Sequence, residues 1–307
     1  MNHLISSPYF GIISALLAAF CWSIAVIIFK SASNFLSPLL IVTLKNTIAV
    51  FCFITMFMFF EIPLWYDNLN FVDYLKIILS GILGMGVSDL LFIHALSKIG
   101  ANRVAIINCF EPAVIYCFSI IMLGTYLTIL QFIGFLIVII ALLIISYEKD
   151  DSEIEPAVKK RGMLTQILAV VLSSFGIVLI KPILSKINVS IASQLWVTFF
   201  RLVPGFLFTW LIFLFQKNKW KLLLPLKNKS IAIKIIISSG LGTFIALSFW
   251  IIGYANIQKP PIASIIGQTS VLFIILLSYF FLDEKISKIR IIAMIIALLG
   301  VLFIILN

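Results

Sequence analysis

The chain of 307 residues is too apolar for a water-soluble domain. Hydrophobic side chains make up 63% of it and charged side chains only 11%, against about 25% charged residues in soluble globular domains. This composition excludes soluble enzymes and binding modules and indicates an integral membrane protein. The net charge of +10 is interpreted as a topology signal and not as a nucleic-acid-binding surface, so no nucleic-acid partner is predicted.

Hydropathy predicts ten membrane-spanning helices. The apolar runs have the length of about 20 residues that a bilayer-crossing helix needs, which favours helices over the alternating strands of a barrel. The predicted fold is an all-α membrane protein with a first five-helix repeat (1–147), a charged linker (148–162) and a second five-helix repeat (163–307). In chain order the predicted spans are 9–29, 38–60, 74–97, 101–122, 127–147, 163–182, 191–215, 231–256, 261–281 and 288–306.

The two halves show weak internal similarity. An offset of 159 residues superposes segment 77–81 on segment 236–240, with identical residues at four of the five positions. With shifts at the loops, the basic residues pair as Lys30 with Lys181 and Lys45 with Arg201. Because each half has an odd number of spans, the second copy enters the membrane from the opposite side. The sequence therefore predicts inverted repeats around a central cavity.

The distribution of lysine and arginine predicts the orientation. Connections that follow odd-numbered spans carry sixteen of these residues, and the opposite connections carry four: Lys76, Lys181, Lys186 and Lys259. By the positive-inside rule, the odd-numbered connections lie in the cytoplasm and both termini are extracytoplasmic. The expected location is the cell's inner (cytoplasmic) membrane.

Four charged residues remain inside the predicted spans: Lys45, Asp89, Glu111 and Arg201. At ~1.5 Å of rise per residue, they lie roughly 10 to 16 Å from the cytoplasmic helix ends. Charged side chains are costly against lipid, so these four are expected to face the bundle interior or a watered cavity.

Two prolines accompany the intramembrane charges. In "INCFEPAVIYCF", Pro112 follows Glu111 and cannot donate a hydrogen bond to the carbonyl of Asn108. Pro204 removes the corresponding bond near Arg201 in the seventh span. Pro112 and Pro204 are therefore candidate hinges.

Polar residues at helical spacing mark the candidate binding surface. Gln194, Thr198 and Arg201 recur at i, i+4 and i+7 in the seventh span, and Trp250 and Tyr254 continue a stripe on the eighth. The candidate substrate-binding residues are Lys45, Asp89, Asn108, Gln194, Thr198, Arg201, Trp250, Tyr254 and Gln268.

Glu111 is the candidate proton-coupling residue. Apolar surroundings favour its protonated form, whereas a nearby Lys45 or Arg201 favours the carboxylate. A group held between these influences can bind and release a proton during transport. The alternative interpretation is a static ion pair with one of the two cations.

The order of these features resembles the EamA-like branch of the drug/metabolite transporter superfamily. The resemblance rests on "LLAAFCWSIAVIIFK", on a basic residue in spans two and seven, and on "CFEPAVIYCFSIIMLGTYLTILQFIG" with its echo "SVLFIILLSYFFLDEKISKIRIIAMIIALLG". It implies a cavity lined by spans one to four and six to nine, alternating access, and transport of small metabolites. Asp283–Glu284 fits the acidic motif before the last span of a repeat, whereas Gly124–Thr125 lacks the acid. The Glu111–Pro112 pair resembles amino-acid-exporter-like members.

These observations favour a secondary transporter that exports a small charged or zwitterionic metabolite such as an amino acid, coupled to protons or to exchange. The alternative is an uptake or exchange carrier for a nucleotide-like or S-adenosylmethionine-like metabolite. An intramembrane enzyme is the different-class alternative, but the chain has no HExxH or GxSxG motif, and no metal or cofactor is predicted. A channel would call for a ring of like residues, and none is apparent. The expected partners are the metabolite, protons and the lipid bilayer, with the protein a monomer or homodimer.

Overall fold

The computed structural model describes residues 9–66, 68–146, 155–187, 190–282 and 288–306, and the regular structure in these ranges is all helical. Seven helical stretches are long and apolar enough to cross a membrane: Phe10–Ala32, Pro38–Phe60, Phe71–Ala101, Pro156–Lys186, Ile191–Leu214, Lys229–Asn256 and Pro260–Phe281. Three shorter apolar helices accompany them: Glu111–Leu123, Ile129–Ala141 and Ile291–Leu306.

The first half contains six α-helices and one π-helical segment. They are α1 (Phe10–Ala32), α2 (Pro38–Phe60), α3 (Phe71–Gly81), the π-helix Ile82–Ser88, α4 (Asp89–Asn108), α5 (Glu111–Leu123) and α6 (Ile129–Ser146). Local sequence explains the starts of α2 and α3. Ser37 accepts a hydrogen bond from Leu40 N at 3.3 Å before Pro38, and Asn70 and Asp73 form a reciprocal capping box.

The second half has a similar series of elements. They are α7 (Pro156–Lys186), α8 (Ile191–Leu214), the short α9 (Lys219–Leu223) with a 3-10 turn Leu224–Lys227, α10 (Lys229–Ser239), the π-helix Gly240–Ala246, α11 (Leu247–Asn256), α12 (Pro260–Gly267), α13 (Thr269–Leu282) and α14 (Lys288–Leu306). Helix α7 begins at Pro156, within the predicted linker and ahead of the predicted start of the sixth span at 163.

The π-helical segments occupy corresponding places in the two halves, each between two α-helices of one long span. Gly84 and Gly86 lie in the first segment and Gly242 in the second. A π-turn is wider than an α-turn and frequently marks a functional site. Hydropathy did not predict these segments, because they are as apolar as the helices that flank them.

Backbone breaks interrupt the helical stretches at several places. Gly100 has φ 83° and ψ 169°, which breaks the chain between the predicted third and fourth spans. The predicted continuous span 101–122 is corrected to two helices, because Cys109 and Phe110 form a turn and α5 begins at Glu111. Pro112 therefore lies in the first turn of α5, where a missing amide hydrogen is tolerated. The ninth span is divided in the same way, with Gln268 between α12 and α13.

Helix packing brings the two halves together. Helix α1 packs against α11, α12 and α13, while α7 packs against α3, α4 and α5. Helix α2 packs against α8, and α5 packs against α12. Every one of these pairs joins a helix of the first half to a helix of the second half, so the halves form one shared core.

Helices α6 and α14 form a peripheral pair. Ala293 and Ala297 of α14 are buried, and small residues such as these allow two helices to approach closely. A Cβ added to Gly300 would lie 2.8 Å from a Val138 methyl group, so the close approach of these helices requires a glycine. Large side chains on the other faces of both helices, including Ile140 and Leu299, remain exposed.

Two lysines bind the carboxyl ends of neighbouring helical stretches. Lys30 Nζ donates to Leu96 O at 3.3 Å, and Lys181 Nζ donates to Tyr254 O and, at 2.6 Å, to Ile257 O. The assignment of Lys181 to a connection is corrected, because α7 continues to Lys186 and Lys181 is only 6% exposed. The predicted equivalence of Lys30 and Lys181 agrees with their similar contacts.

Candidate functional site

A cavity of about 190 Å³ lies at the centre of the bundle. The residues that line it come from α1, α2, α4, α5, α7, α8, α11, α12 and α13, from both π-helices and from Gln268. Helix α3 and the described parts of α6 and α14 contribute no lining residue. This is the arrangement that the family resemblance implied. The polar and charged lining residues are Lys45, Ser88, Asp89, Asn108, Glu111, Gln166, Ser173, Arg201, Thr243, Gln268 and Ser270.

Lys45 and Asp89 form an ion pair at the cavity wall, with a short contact between Lys45 Nζ and Asp89 Oδ2. The Lys45 side chain is 3% exposed and that of Asp89 is 15% exposed. Lys45 Nζ also donates to Asn46 Oδ1 at 3.1 Å, and Asn46 Nδ2 donates to Met85 O at 3.0 Å in the first π-helix. The pair therefore connects α2 to the span that contains the π-helix and neutralises one cation of the cavity.

Arg201 enters the cavity from α8 and is held through its inner nitrogen. Its Nε donates to Ser80 Oγ at 2.8 Å, and Ser80 Oγ donates to Gly176 O at 2.6 Å. A Cβ added to Gly84 would lie 2.6 Å from Arg201 Nη2, so the guanidinium lies directly on this glycine. Among the described residues, no hydrogen bond or salt bridge is made by Nη1 or Nη2, which leaves the fork of the guanidinium for a ligand.

Glu111 and Gln268 meet across the cavity. Gln268 Nε2 donates to Glu111 Oε2 at 3.0 Å. Glu111 is the first residue of α5, and Gln268 separates α12 from α13. The bond therefore joins the interruption of the fourth span to the interruption of the ninth.

A second amide pair lines the cavity. Gln166 Nε2 donates to Asn108 Oδ1 at 2.6 Å, which connects α7 to the end of α4. Three buried oxygens of the lining residues make no hydrogen bond within the described structure: Gln166 Oε1, Gln268 Oε1 and Thr243 Oγ1. Unpaired buried acceptors are costly, and they are expected to gain a donor in some state of the protein.

Aromatic rings form much of the apolar wall. Trp22 on α1 lies 5.6 Å from Phe92 on α4 between ring centroids. Trp250 lies 5.0 Å from Tyr254, and a Cβ added to Gly267 would be 2.1 Å from the Trp250 ring. Trp22, Phe92 and Trp250 all line the cavity, so its apolar surface comes from both halves of the chain.

Most of the predicted site residues meet at this cavity. Those that line it are Lys45, Asp89, Asn108, Glu111, Arg201, Trp250 and Gln268. Gln194, Thr198 and Tyr254 do not. Thr198 Oγ1 donates to Gln194 O at 2.9 Å within α8, and Gln194 Oε1 accepts from Asn256 Nδ2 at 3.3 Å. Tyr254 is completely buried, with its ring centroid 5.0 Å from that of Trp250.

The other predicted motifs lie away from the lining. Pro112 and Pro204 flank the cavity residues Glu111 and Arg201 but do not line it themselves. Asp283–Glu284, the acidic motif before the last span, falls outside the described residues.

Some residues in or beside the cavity were not predicted. Gln166 was recognisable as a glutamine inside an otherwise apolar stretch of the sixth span. Ser80 was noted only as part of the repeat, and its contact with Arg201 depends on the packing of α3 against α8. Trp22 was not among the predicted site residues, because sequence alone does not show which face of α1 meets the cavity.

Comparison with known proteins agrees with this architecture. The EamA-like transporter family matches residues 9–147 and again residues 160–306. Twenty-nine chains of solved structures match the fold. One of them, described only as the crystal structure of a protein, has a TM-score of 0.74 and 17% sequence identity over 95% of each chain. No curated protein matches the chain. The two family matches, which together span most of the sequence, show that this chain belongs to the EamA-like transporter family of the drug/metabolite transporter superfamily.

Proposed function

We propose that the protein is a secondary active transporter that exports a small zwitterionic metabolite, such as an amino acid. The observation that carries this proposal is the central cavity, which places an available guanidinium and a carboxylate among apolar walls. Because Asp89 already neutralises Lys45, Arg201 and Glu111 are the groups left for a ligand. Arg201 would bind a carboxylate through two parallel hydrogen bonds, and Glu111 would attract an ammonium group.

The cavity volume favours a small substrate. At about 190 Å³ it lies below the ~300–1,000 Å³ of pockets that hold drug-sized ligands. A nucleotide-like or S-adenosylmethionine-like substrate would require a larger space. The rings of Trp22, Phe92 and Trp250 suit an apolar side chain on the substrate.

The proposed architecture has ten spans in two inverted repeats, with residues 1–147 and 163–307 as the repeats and 148–162 as the linker. The seven long and three shorter apolar helices support this count. The matching positions of the π-helices, of the broken spans and of Lys30 and Lys181 support the repeat. The two halves would alternately open the cavity to either side of the cytoplasmic membrane.

Proton coupling is assigned to Glu111. In this mechanism, substrate binds through Arg201 while Glu111 exchanges its proton with cavity water. Pro204, inside α8, would allow that helix to bend as the cavity changes sides, and the break before α5, where Pro112 lies in the first turn, would serve as the other hinge. The alternative is that Glu111 forms only a static ion pair. In that case, replacing Glu111 should lower the protein yield without changing the response of transport to a pH gradient.

The test is transport in proteoliposomes with a panel of radiolabelled amino acids. Saturable counterflow of at least one of them, lost in Arg201→Ala and impaired in Arg201→Lys, is the expected result, because a lysine cannot reproduce bidentate binding. Glu111→Gln should keep counterflow with a raised KM, because the amide attracts the ammonium group less, and should lose pH-gradient-driven transport. Absence of amino-acid counterflow in the wild-type protein, or normal transport by Arg201→Ala, would contradict the proposal.

A further inference from the structure

The contact between Glu111 and Gln268 is incomplete in one respect. Gln268 Nε2 donates to Glu111 Oε2 at 3.0 Å, but the amide oxygen of Gln268 is buried and makes no hydrogen bond within the described residues. Gln268 is 4% exposed, so water has little access to this oxygen. The amide oxygen of Gln268 therefore lacks a hydrogen-bond donor, although the same side chain already contacts the carboxyl group of Glu111.

A protonated carboxyl group supplies such a donor. An ionised carboxylate only accepts hydrogen bonds, whereas a carboxylic acid has one O–H donor and keeps an accepting oxygen. A carboxylic acid and a primary amide can pair reciprocally, with N–H donating to the acid carbonyl and the acid O–H donating to the amide oxygen. Gln268 presents both of the groups that this pairing requires.

We propose that Gln268 is the positioning residue for proton binding at Glu111, and that protonation converts their single hydrogen bond into a reciprocal two-bond pair. The proton moves from cavity water to a Glu111 oxygen, and the O–H group that forms donates a hydrogen bond to Gln268 Oε1. On release, the proton returns to water and the single Nε2–Oε2 bond remains. This inference rests on the proposed role of Glu111 and extends it to a second residue.

The location of the pair gives the proton a structural effect. Glu111 starts α5 in the first half, and Gln268 lies at the break between α12 and α13 in the second half. A second bond would strengthen the link between two interrupted spans from opposite halves. The other ionisable groups that act on Glu111 are Arg201 from α8 and Tyr254 from α11. A ligand carboxylate on Arg201 would therefore alter the charge that Glu111 faces.

The test is infrared difference spectroscopy of the full-length protein in lipid bilayers, recorded across the pH range in which it stays folded. Wild-type protein should show a carboxylic-acid carbonyl band that Glu111→Gln removes. In Gln268→Met, which keeps the length of the side chain but lacks the amide, this band should move to higher wavenumber because the acid has lost its partner. Gln131→Met is the matched control, since Gln131 is also buried and binds a charged residue, Lys259, at 2.7 Å outside the cavity.

A Glu111 band at the same wavenumber in Gln268→Met and in the wild type would overturn the proposal, as would the absence of any band sensitive to Glu111→Gln. If Gln268→Met does not fold, glutamine labelled with ¹³C in the side-chain carbonyl of the wild-type protein provides a second measurement. Its amide band should change as the Glu111 band titrates, and an unchanged amide band would also refute the pairing. These spectra require no substrate, so a failure of amino-acid transport would contradict the proposed function without affecting this result.

Discussion

Arg201 and Ser80 hold each other in place across the contact between α8 and α3, through a 2.8 Å hydrogen bond from Nε to Oγ. The serine hydroxyl in turn donates to Gly176 O on α7, so one small side chain connects three helices beside the cavity. Removal of the serine hydroxyl would free the guanidinium from the orientation that it has at the cavity.

Ser80→Ala should therefore weaken substrate binding and lower stability. Loss of the acceptor for a buried charged donor is expected to cost about 1–3 kcal/mol. Thermal unfolding in detergent and the KM for counterflow are the measurements. Ser97→Ala is the control, because Ser97 Oγ donates to His94 O in its own helix, and unchanged KM in Ser80→Ala would refute this role.

Gly84→Ala should impair transport more than folding. Its new methyl group would lie 2.6 Å from Arg201 Nη2, which is the movable end of a side chain, so the guanidinium would shift away from its binding position. Gly240→Ala is a closely matched control in the second π-helix, where an added Cβ meets nothing within 4 Å. We expect Gly84→Ala to be expressed normally with reduced counterflow and Gly240→Ala to transport normally. Equal activity of the two variants would show that contact with Gly84 does not position Arg201.

The Lys45–Asp89 pair should behave as a coupled unit. Either Lys45→Met or Asp89→Asn leaves the partner charge in a poorly hydrated site, for which a cost of about 3–5 kcal/mol is expected. The double variant should be more stable than the sum of the two single effects predicts. A double-mutant cycle from thermal unfolding measures this difference, and strict additivity would mean that the contact contributes no coupling.

Both termini should be extracytoplasmic. Sixteen of the twenty-two lysines and arginines lie on the connections assigned to the cytoplasm. A reporter enzyme that works only outside the cytoplasm should be active when it is fused at Asn307. A reporter enzyme that works only in the cytoplasm should be inactive at the same position. A fusion within 217–229 should give the reverse pattern, and the opposite result at both sites would invert the topology.

The sequence predicted the helical class and all four charged residues that line the cavity in the described structure. Charges inside apolar spans have few low-energy locations, so Lys45, Asp89, Glu111 and Arg201 were expected to face inward, and all four line the cavity. The break near Gly100 was also close to a predicted boundary, because hydropathy falls there.

Other features depend on backbone geometry that hydropathy does not detect. A proline that starts a helix and a proline that bends one have the same local sequence, so the turn before Glu111 was missed. Gln194 and Thr198 share a stripe with Arg201, but they lie one to two turns away along α8 and only Arg201 reaches the cavity. The stripe predicted the correct face and not the depth of the site.

The first π-helix also has a consequence for insertions and deletions in the gene. A π-turn accommodates an additional residue within a helix, and a deletion of one residue from Ile82–Ser88 would allow the segment to become α-helical. Because the wider turn contains the extra residue, the helix beyond it would keep nearly the same orientation after such a deletion, and Asp89 would stay beside Lys45. A deletion of one residue from α3 would instead rotate the two ends of the span against each other by about 100°, the angle between consecutive residues of an α-helix. A lost codon in α3 should therefore separate Asp89 from Lys45 while membrane insertion is preserved, whereas the π-helix is the part of this span that should tolerate the loss of one residue best.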